Sequence, residues 1–143
     1  KNQKNSLVLL DIDFFKVIND EFGHDGGDQA LKQVSDLIRT SFSNSTVARI
    51  GGEEFAIILT QVEVEQAEKC LNLFIQKFAS YDFTISGKTL SITASIGLAE
   101  FQNTNLTAAM RVADRALYQA KEQGRNCVVL NSTLQLAEVT AIR

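Results

Sequence analysis

The segment Ser6-Leu-Val-Leu-Leu-Asp-Ile-Asp13 decides the fold, because it joins an apolar run to two acids at its end. The uninterrupted run of Leu and Val, followed by Ile12, predicts a β-strand that is buried on both faces. Carboxylates are costly at the end of such a strand unless something neutralises them. The segment is therefore predicted to be a core strand, and its two acids are candidates for a functional site.

Helical spacing of apolar residues recurs along the rest of the chain. A short helix is predicted over residues 14–22, and Gly23 to Gly27 then break the period. A longer helix is expected to begin at Asp28, a plausible N-cap, and to end near Phe42. Two further helices are predicted over residues 64–78 and 106–120, the last of them closed by Gly124.

Two hairpins and a final strand complete the pattern. The first hairpin has strands over residues 47–50 and 55–59, and the second has strands over 83–85 and 90–101. The last strand is expected over residues 127–130. Strands and helices in this order predict an α+β fold, with a mostly antiparallel central sheet, flanking helices and a pattern close to βαββαβ.

Composition limits the classes of protein that fit. The 143 residues are 45% hydrophobic and 22% charged, as expected for one globular domain. The net charge of −3 argues against a nucleic-acid partner, and the short apolar runs argue against a membrane span. We therefore expect a cytoplasmic domain. Cys70 and Cys127 are interpreted as reduced thiols in the core.

Two acidic clusters are candidate metal ligands. Asp11 and Asp13 end the first strand, while Glu53 and Glu54 lie in the turn of the first hairpin. Adjacent strands could bring the clusters together, and carboxylates without His or Cys nearby suit Mg²⁺ or Mn²⁺. Solvation of a strand end and a turn is the structural alternative.

Glycines and cations offer contacts for phosphate. Gly51 and Gly52 leave bare backbone that a phosphate can approach, although a Gly-Gly turn is also simply a hairpin. Lys121 and Arg125 flank Gly124, where they could bind phosphates or complement the helix dipole.

Polar residues around the Gly-rich break could read a purine. Asn19, His24 and Asp28 supply an amide, an imidazole and a carboxylate. Carboxylate and amide oxygens can accept from the two donors of the guanine edge, which adenine lacks. Helix capping is an equally weighted interpretation of Asp28.

Three blocks of sequence together resemble the GGDEF domain of the diguanylate cyclase family, in its GGEEF form. They are Asp11-Ile-Asp-Phe-Phe-Lys-Val-Ile-Asn-Asp-Glu-Phe-Gly-His-Asp-Gly-Gly-Asp28, Arg49-Ile-Gly-Gly-Glu-Glu-Phe55 and Ala113-Asp-Arg-Ala-Leu-Tyr-Gln-Ala-Lys-Glu-Gln-Gly-Arg-Asn126. The blocks stand in the family's order, so residues 1–143 are interpreted as one such domain. The resemblance implies a palm-like fold similar to that of nucleotide cyclases.

The resemblance also implies a reaction, the condensation of two GTP molecules to cyclic di-GMP and two pyrophosphates. In the family's pattern Asp11, the backbone carbonyl of Ile12 and Glu53 hold two Mg²⁺ or Mn²⁺ ions, with Glu54 as a further ligand. Glu53 is also the candidate general base. The remaining assignments that the resemblance implies are Lys16 for transition-state stabilisation, Asn19, His24 and Asp28 for nucleotide contacts, and Lys121 and Arg125 for the triphosphate.

Assembly and regulation are implied in the same way. A product made from two nucleotides implies a homodimer with two-fold symmetry. The family's upstream Asp-x-Leu-Thr-Gly-Leu-x-Asn-Arg segment is missing before Lys1, so the chain is expected to be a fragment of a protein with an upstream sensor, which could be membrane-anchored. The family's product-inhibition site is expected to be absent, because Phe42 and Ser45 replace its Arg and Asp.

Two other functions are compatible with the same residues. A catalytically silent GGDEF domain would bind GTP and regulate a neighbour, although the intact Gly51-Gly-Glu-Glu-Phe55 argues against it. A palm-like polymerase or cyclase fragment would share the metal chemistry without needing Asn19 and Asp28.

Overall fold

The computed structural model describes residues 4–102 and 105–132. Within these residues, a five-stranded sheet carries helices on both faces, and a separate two-stranded sheet lies beside it. The elements are β1 (Lys4–Ile12), α1 (Phe15–Ser41), β2 (Thr46–Arg49), β3 (Glu54–Leu59), α2 (Val64–Ser80), β4 (Phe83–Ile85), β5 (Lys88–Leu90), β6 (Ala94–Gln102), α3 (Leu106–Glu122) and β7 (Val128–Asn131).

The main sheet has the order β2-β3-β1-β6-β7, with β1 in the middle. Strand β1 is antiparallel to β3 and β6, and β6 pairs with β7 in parallel. Val8 and Leu10 belong to the core under α1 and α2, while Leu7 and Leu9 pack with residues of α3. The prediction of a mostly antiparallel α+β fold around a doubly buried first strand is confirmed.

Helix α1 runs through the predicted Gly-rich break with a single non-helical residue, Gly23 (φ 74°, ψ 179°). The predicted break between two helical segments is therefore confirmed at Gly23, but residues 24–27 are helical, and Asp28 lies inside the second segment instead of capping it. Gly26 and Gly27 are used for close packing, since a Cβ on Gly27 would lie 1.9 Å from Oδ1 of Asn19. The two parts of α1 therefore meet at Asn19.

Helix α3 lies directly on the sheet backbone. A Cβ on Gly97 of β6 would stand 2.1 Å from the carbonyl oxygen of Ala113, so only a glycine fits there. The helix ends at Glu122, with Gln123 as its C-cap and Gly124 (φ 113°) immediately after it. Gly124 thus ends the helix as predicted, one position beyond the cap.

The second predicted hairpin is shorter than expected. Its strands, β4 and β5, form the two-stranded sheet, and the predicted strand over residues 90–101 divides into β5 and β6. The backbone N–H of Thr84 donates to Oε1 of Gln33 at 2.9 Å, so the hairpin docks on α1. Residues 91–93 leave the strand, and the Thr93 hydroxyl donates to Asp13.

The cysteines are free but do not lie in the core. Cys70 is exposed on α2, whose buried face is formed by other residues such as Leu71 and Phe74, and Cys127 is partly exposed. The prediction of two core thiols is therefore wrong.

Across the residues that the structure describes, no helix is long and apolar enough to cross a bilayer.

Candidate active site

Strand pairing brings the two acidic clusters together at one end of β1. Asp11 is the register partner of Glu54 on β3. The backbone N–H of Ile12 donates to the carbonyl oxygen of Glu53 at 3.2 Å, which fixes the turn between β2 and β3 against β1. The expectation that adjacent strands join the clusters is confirmed for Asp11, Glu53 and Glu54.

Asp11 is buried, and its two carboxylate oxygens have different partners. The residue is 6% exposed, and its Oδ2 forms an ion pair with Nζ of Lys121 from the last turn of α3. Its Oδ1 is buried without a hydrogen-bond partner among the described residues. Because an unsatisfied buried carboxylate oxygen is costly, this atom is a candidate ligand position.

The charge of Asp11 affects the pKa values of both Glu53 and Glu54. The pKa of Glu53 is raised above its usual value, first by partial burial and then by Asp11, while Lys121 acts in the opposite direction. The pKa of Glu54 is raised for the same reasons, with Asp114 adding to the repulsion. Carboxylates that repel one another in this way favour a bound cation.

The donor set fits a hard divalent cation. Asp11 and Glu53 supply carboxylate oxygens, the type of ligand that Mg²⁺ and Mn²⁺ prefer. In residues 4–102 and 105–132, no group of three or more His, Cys, Asp or Glu side chains is already arranged to hold a metal ion. Mg²⁺ commonly uses one or two carboxylates and completes its shell with water and substrate phosphates. Asp11 and Glu53 satisfy that requirement.

Asp13 does not belong to this acidic group. Its carboxylate accepts hydrogen bonds from Oγ1 of Thr93 at 2.7 Å, from Oγ of Ser95 at 2.7 Å and from the backbone N–H of Asn126 at 3.0 Å. These donors satisfy both of its oxygens. Interpreting Asp13 as a partner of Asp11 in metal binding is therefore wrong, and no sequence pattern indicated its contact with Asn126, 113 residues away.

The two cations at the end of α3 point to different partners. Lys121 contacts Asp11, whereas the guanidinium carbon of Arg125 lies 4.8 Å from the ring centroid of Phe14. Arg125 is exposed, and Phe14 directly precedes α1. The cations therefore flank the end of β1 from one side.

The predicted nucleotide contacts lie along α1. Asn19 packs against Gly27 at the kink, and His24 and Asp28 are exposed nearby in sequence. Lys16 is exposed on the first turn of α1, where it forms an ion pair with Asp20 at 3.6 Å. The structure leaves Lys16 on the surface and does not bring it into contact with the carboxylates of Asp11 and Glu53.

The Gly51-Gly52 turn is open. Both residues are exposed, and a Cβ on Gly52 would have no atom within 4 Å. Arg49 donates from Nε to the carbonyl oxygen of Gly51 at 3.2 Å and so braces the turn. This leaves backbone next to Glu53 that a ligand can approach, as the sequence predicted.

The fold, the acidic group and the open turn agree with a family match. Residues 1–127 match the family described as "Diguanylate cyclase, GGDEF domain", and the chain belongs to this family. The resemblance inferred from the three sequence blocks is confirmed.

Relatives carry the same domain within longer proteins. The chain is 36% identical over 135 residues to diguanylate cyclase A of Treponema denticola, covering 92% of this chain and 36% of that protein. It is 39% identical over 122 residues to the diguanylate cyclase DgcP of Pseudomonas aeruginosa, covering 84% of this chain and 18% of that protein. The chain thus spans about a third or less of the length of these relatives.

Solved structures of GGDEF domains share the fold. The GGDEF domain of DgcB from Caulobacter crescentus, determined in complex with c-di-GMP, has a TM-score of 0.82 and 33% identity, covering 90% of this chain and 78% of that one. The active GGEEF domain of a diguanylate cyclase from Vibrio cholerae has a TM-score of 0.81 and 35% identity, covering 90% and 83%.

Proposed function

We propose that this domain condenses two GTP molecules into cyclic di-GMP and releases two pyrophosphates. The observation that carries the proposal is the buried Oδ1 of Asp11, which has no hydrogen-bond partner in the described residues and lies beside the Glu53-Glu54 turn. Family membership and the activity named for the relatives support the same reaction.

Asp11, Glu53 and the backbone carbonyl of Ile12 would hold two Mg²⁺ or Mn²⁺ ions, with Glu54 beside them. Bound divalent cations lower the pKa of an attacking hydroxyl and neutralise charge on a leaving pyrophosphate. Lys121 would exchange its contact with Asp11 for substrate phosphates, and Arg125 would bind phosphate next to it. Gly51 and Gly52 would admit the phosphates to the turn.

Guanine recognition is assigned to α1. Asn19 and Asp28 would accept hydrogen bonds from the guanine edge, and His24 would contact the same nucleotide. Lys16, at the exposed start of α1, is assigned to charge that develops in the transition state.

Each of the two condensation steps has the same balance of bonds. The 3′-oxygen of one nucleotide forms a bond to the α-phosphorus of the other, and the bond from that phosphorus to the β-phosphate oxygen breaks. Pyrophosphate leaves, and the hydroxyl proton passes to a base. Glu53 is assigned this role, because the family's pattern gives it to this position and because the Glu53 turn lies against β1 beside Asp11.

The reaction requires a pair of domains. One acidic group of this kind is found in the described part of the chain, whereas the product contains two nucleotides, so we propose a homodimer with two-fold symmetry. Activity per molecule should then rise with protein concentration, and a tether should remove this dependence by raising the effective concentration.

The test is to fuse the chain to a dimeric coiled coil and incubate it with GTP and Mg²⁺. Cyclic di-GMP, identified by mass, is the expected product, and Glu53→Gln should reduce its rate at least about 100-fold while the fold is retained. Glu63→Gln is the matched control, because it makes the same change at an exposed glutamate that pairs with Lys4 instead of contacting Asp11. Bound but unchanged GTP would instead indicate a catalytically silent regulatory domain, and a different product would indicate another cyclase or polymerase.

A further inference from the structure

Asp13 connects three parts of the chain that are far apart in sequence. The residue is 4% exposed, and the donors to its carboxylate come from the segment before β6, from β6 itself and from the turn after α3. Its own backbone N–H donates to the carbonyl oxygen of Thr93 at 2.9 Å. A buried carboxylate that accepts hydrogen bonds at both oxygens is fixed in place, so it can in turn fix its partners.

The turn that Asp13 holds has an unfavourable backbone. Arg125 (φ 67°) and Asn126 (φ 51°) are consecutive residues in the left-handed region, which is costly for arginine, whereas asparagine tolerates it better. Such conformations persist where surrounding contacts impose them. Here the N–H of Arg125 donates to the carbonyl oxygen of Ala120 at 3.0 Å, and the N–H of Asn126 donates to Asp13.

The residue after Asp13 contacts the side chain of the same turn. Phe14 also has a left-handed backbone (φ 57°), and its ring, in a residue that is 62% exposed, lies under the guanidinium of Arg125. Asp13 therefore holds the backbone of the turn at Asn126, and the Phe14 ring contacts the guanidinium of Arg125.

We propose that Asp13 is a positioning residue for phosphate binding, which acts by holding the Arg125 turn beside the end of β1. The proposal rests on the proposed function in one respect, namely that Arg125 binds substrate phosphate. Asp13 itself touches neither substrate nor cation. Two acids separated by one residue thus have different tasks, Asp11 at the cation site and Asp13 at the turn.

The test is a double-mutant cycle between Asp13 and Arg125, read by calorimetry with Mg²⁺. The ligands are guanosine and a GTP analogue with an α,β-methylene bridge, which binds but cannot release pyrophosphate. Asp13→Ala should weaken binding of the analogue about 10-fold or more and leave guanosine affinity unchanged. In the Arg125→Ala background, Asp13→Ala should have no further effect, because coupled residues are not additive.

Two further variants separate positioning from a general structural role. Asp13→Asn keeps the side-chain shape and one acceptor oxygen, so its affinity for the GTP analogue should lie between those of Asp13→Ala and the unmodified chain. If Asp13→Ala does not fold, Asp13→Asn takes its place in the double-mutant cycle. Ser95→Ala is the matched control, because it removes a donor to the same carboxylate without touching the turn. Its affinity for the analogue should stay within about twofold.

Additive effects of Asp13 and Arg125, equal losses for guanosine and the analogue, or full affinity in Asp13→Ala would each overturn the proposal. Amide hydrogen exchange at Asn126 is measured in parallel and should be faster in Asp13→Ala than in the unmodified chain. If the unmodified chain does not bind the analogue, the proposed function fails. In that case the hydrogen-exchange rate of the Asn126 amide, compared between Asp13→Ala and the unmodified chain, still tests whether Asp13 holds the turn.

Discussion

The ammonium group of Lys121 forms an ion pair with the carboxylate of Asp11, and this contact joins the end of α3 to the central strand of the sheet. The Asp11 side chain is 8% exposed, so the pair neutralises a charge that would otherwise be poorly solvated. Lys121 is thus a structural partner of Asp11 in the free domain and is proposed to become a phosphate ligand when substrate binds.

Replacing Lys121 by Met should lower the free energy of unfolding by about 1–3 kcal/mol in the absence of divalent cations, because it leaves the Asp11 charge uncompensated. Mg²⁺ should restore part of the loss, since a cation that binds the folded state stabilises it by mass action. Urea unfolding with and without Mg²⁺ measures both effects. Lys32→Met, on the exposed side of α1, is the control. Equal stabilities of Lys121→Met and the unmodified chain would contradict the prediction.

The raised pKa values of Glu53 and Glu54 predict how stability depends on pH. An acid whose pKa is higher in the folded state favours folding below its unfolded pKa, near 4.5, and loses that contribution as pH rises through the folded value. At pH 7 without metal, the variants Glu53→Gln and Glu54→Gln should therefore each be slightly more stable than the unmodified domain. The gain in the free energy of unfolding should be no more than about 1 kcal/mol at these partly exposed positions. Thermal unfolding from pH 4 to pH 8 in EDTA measures this difference, which should vanish at the acid end. A glutamine variant that is less stable at pH 7 would contradict the assigned sign.

The domain should bind GTP at least about 100-fold more tightly than ATP, because a site built from hydrogen bonds to guanine leaves its polar groups unpaired with adenine. Asn19→Ala should reduce this preference, since Asn19 lies at the kink of α1 against Gly27. Calorimetry with non-reactive analogues of both nucleotides measures the ratio. Asp36→Asn, exposed on the same helix, is the control. Comparable affinity for GTP and ATP would show that Asn19 and Asp28 do not recognise the guanine base.

Cyclic di-GMP should not bind through residues 42–45. The ring of Phe42 lies 5.0 Å from that of Phe74, and Oγ of Ser45 donates to the carbonyl oxygen of Phe42 at 2.5 Å, so both residues have structural roles in the turn after α1. The absent Arg and Asp would each contribute charged hydrogen bonds worth roughly 1.5–3 kcal/mol. NMR titration of cyclic di-GMP into this chain and into the double variant Phe42→Arg, Ser45→Asp tests the prediction. Tight binding to the unmodified chain through residues 42–45 would show that it is wrong.

The sequence predicted those parts of the site that follow from strand pairing. An apolar run ending in Asp11 and a hairpin turn carrying Glu53 had to meet once the two strands became neighbours, and they do. The contact of Asp13 with Asn126 could not be predicted in this way, because it depends on a left-handed turn far along the chain. The length of the break in α1 was overestimated for a related reason. Gly26 and Gly27 suggested a loop, whereas their small size serves close packing inside a helix.

The central position of β1 gives the two carboxylates of the acidic group different mobilities. Backbone groups of β1 are hydrogen-bonded to β3 on one side and β6 on the other, so Asp11 is carried by a strand whose amides should exchange only on global unfolding. Glu53 belongs to the turn that leads to β2, an edge strand with mostly exposed residues, where local opening costs less. Adjustment of the site to a cation or a nucleotide should therefore occur mainly through motion of Glu53, on the nanosecond-to-microsecond scale typical of loop motions, while the position of Asp11 changes little.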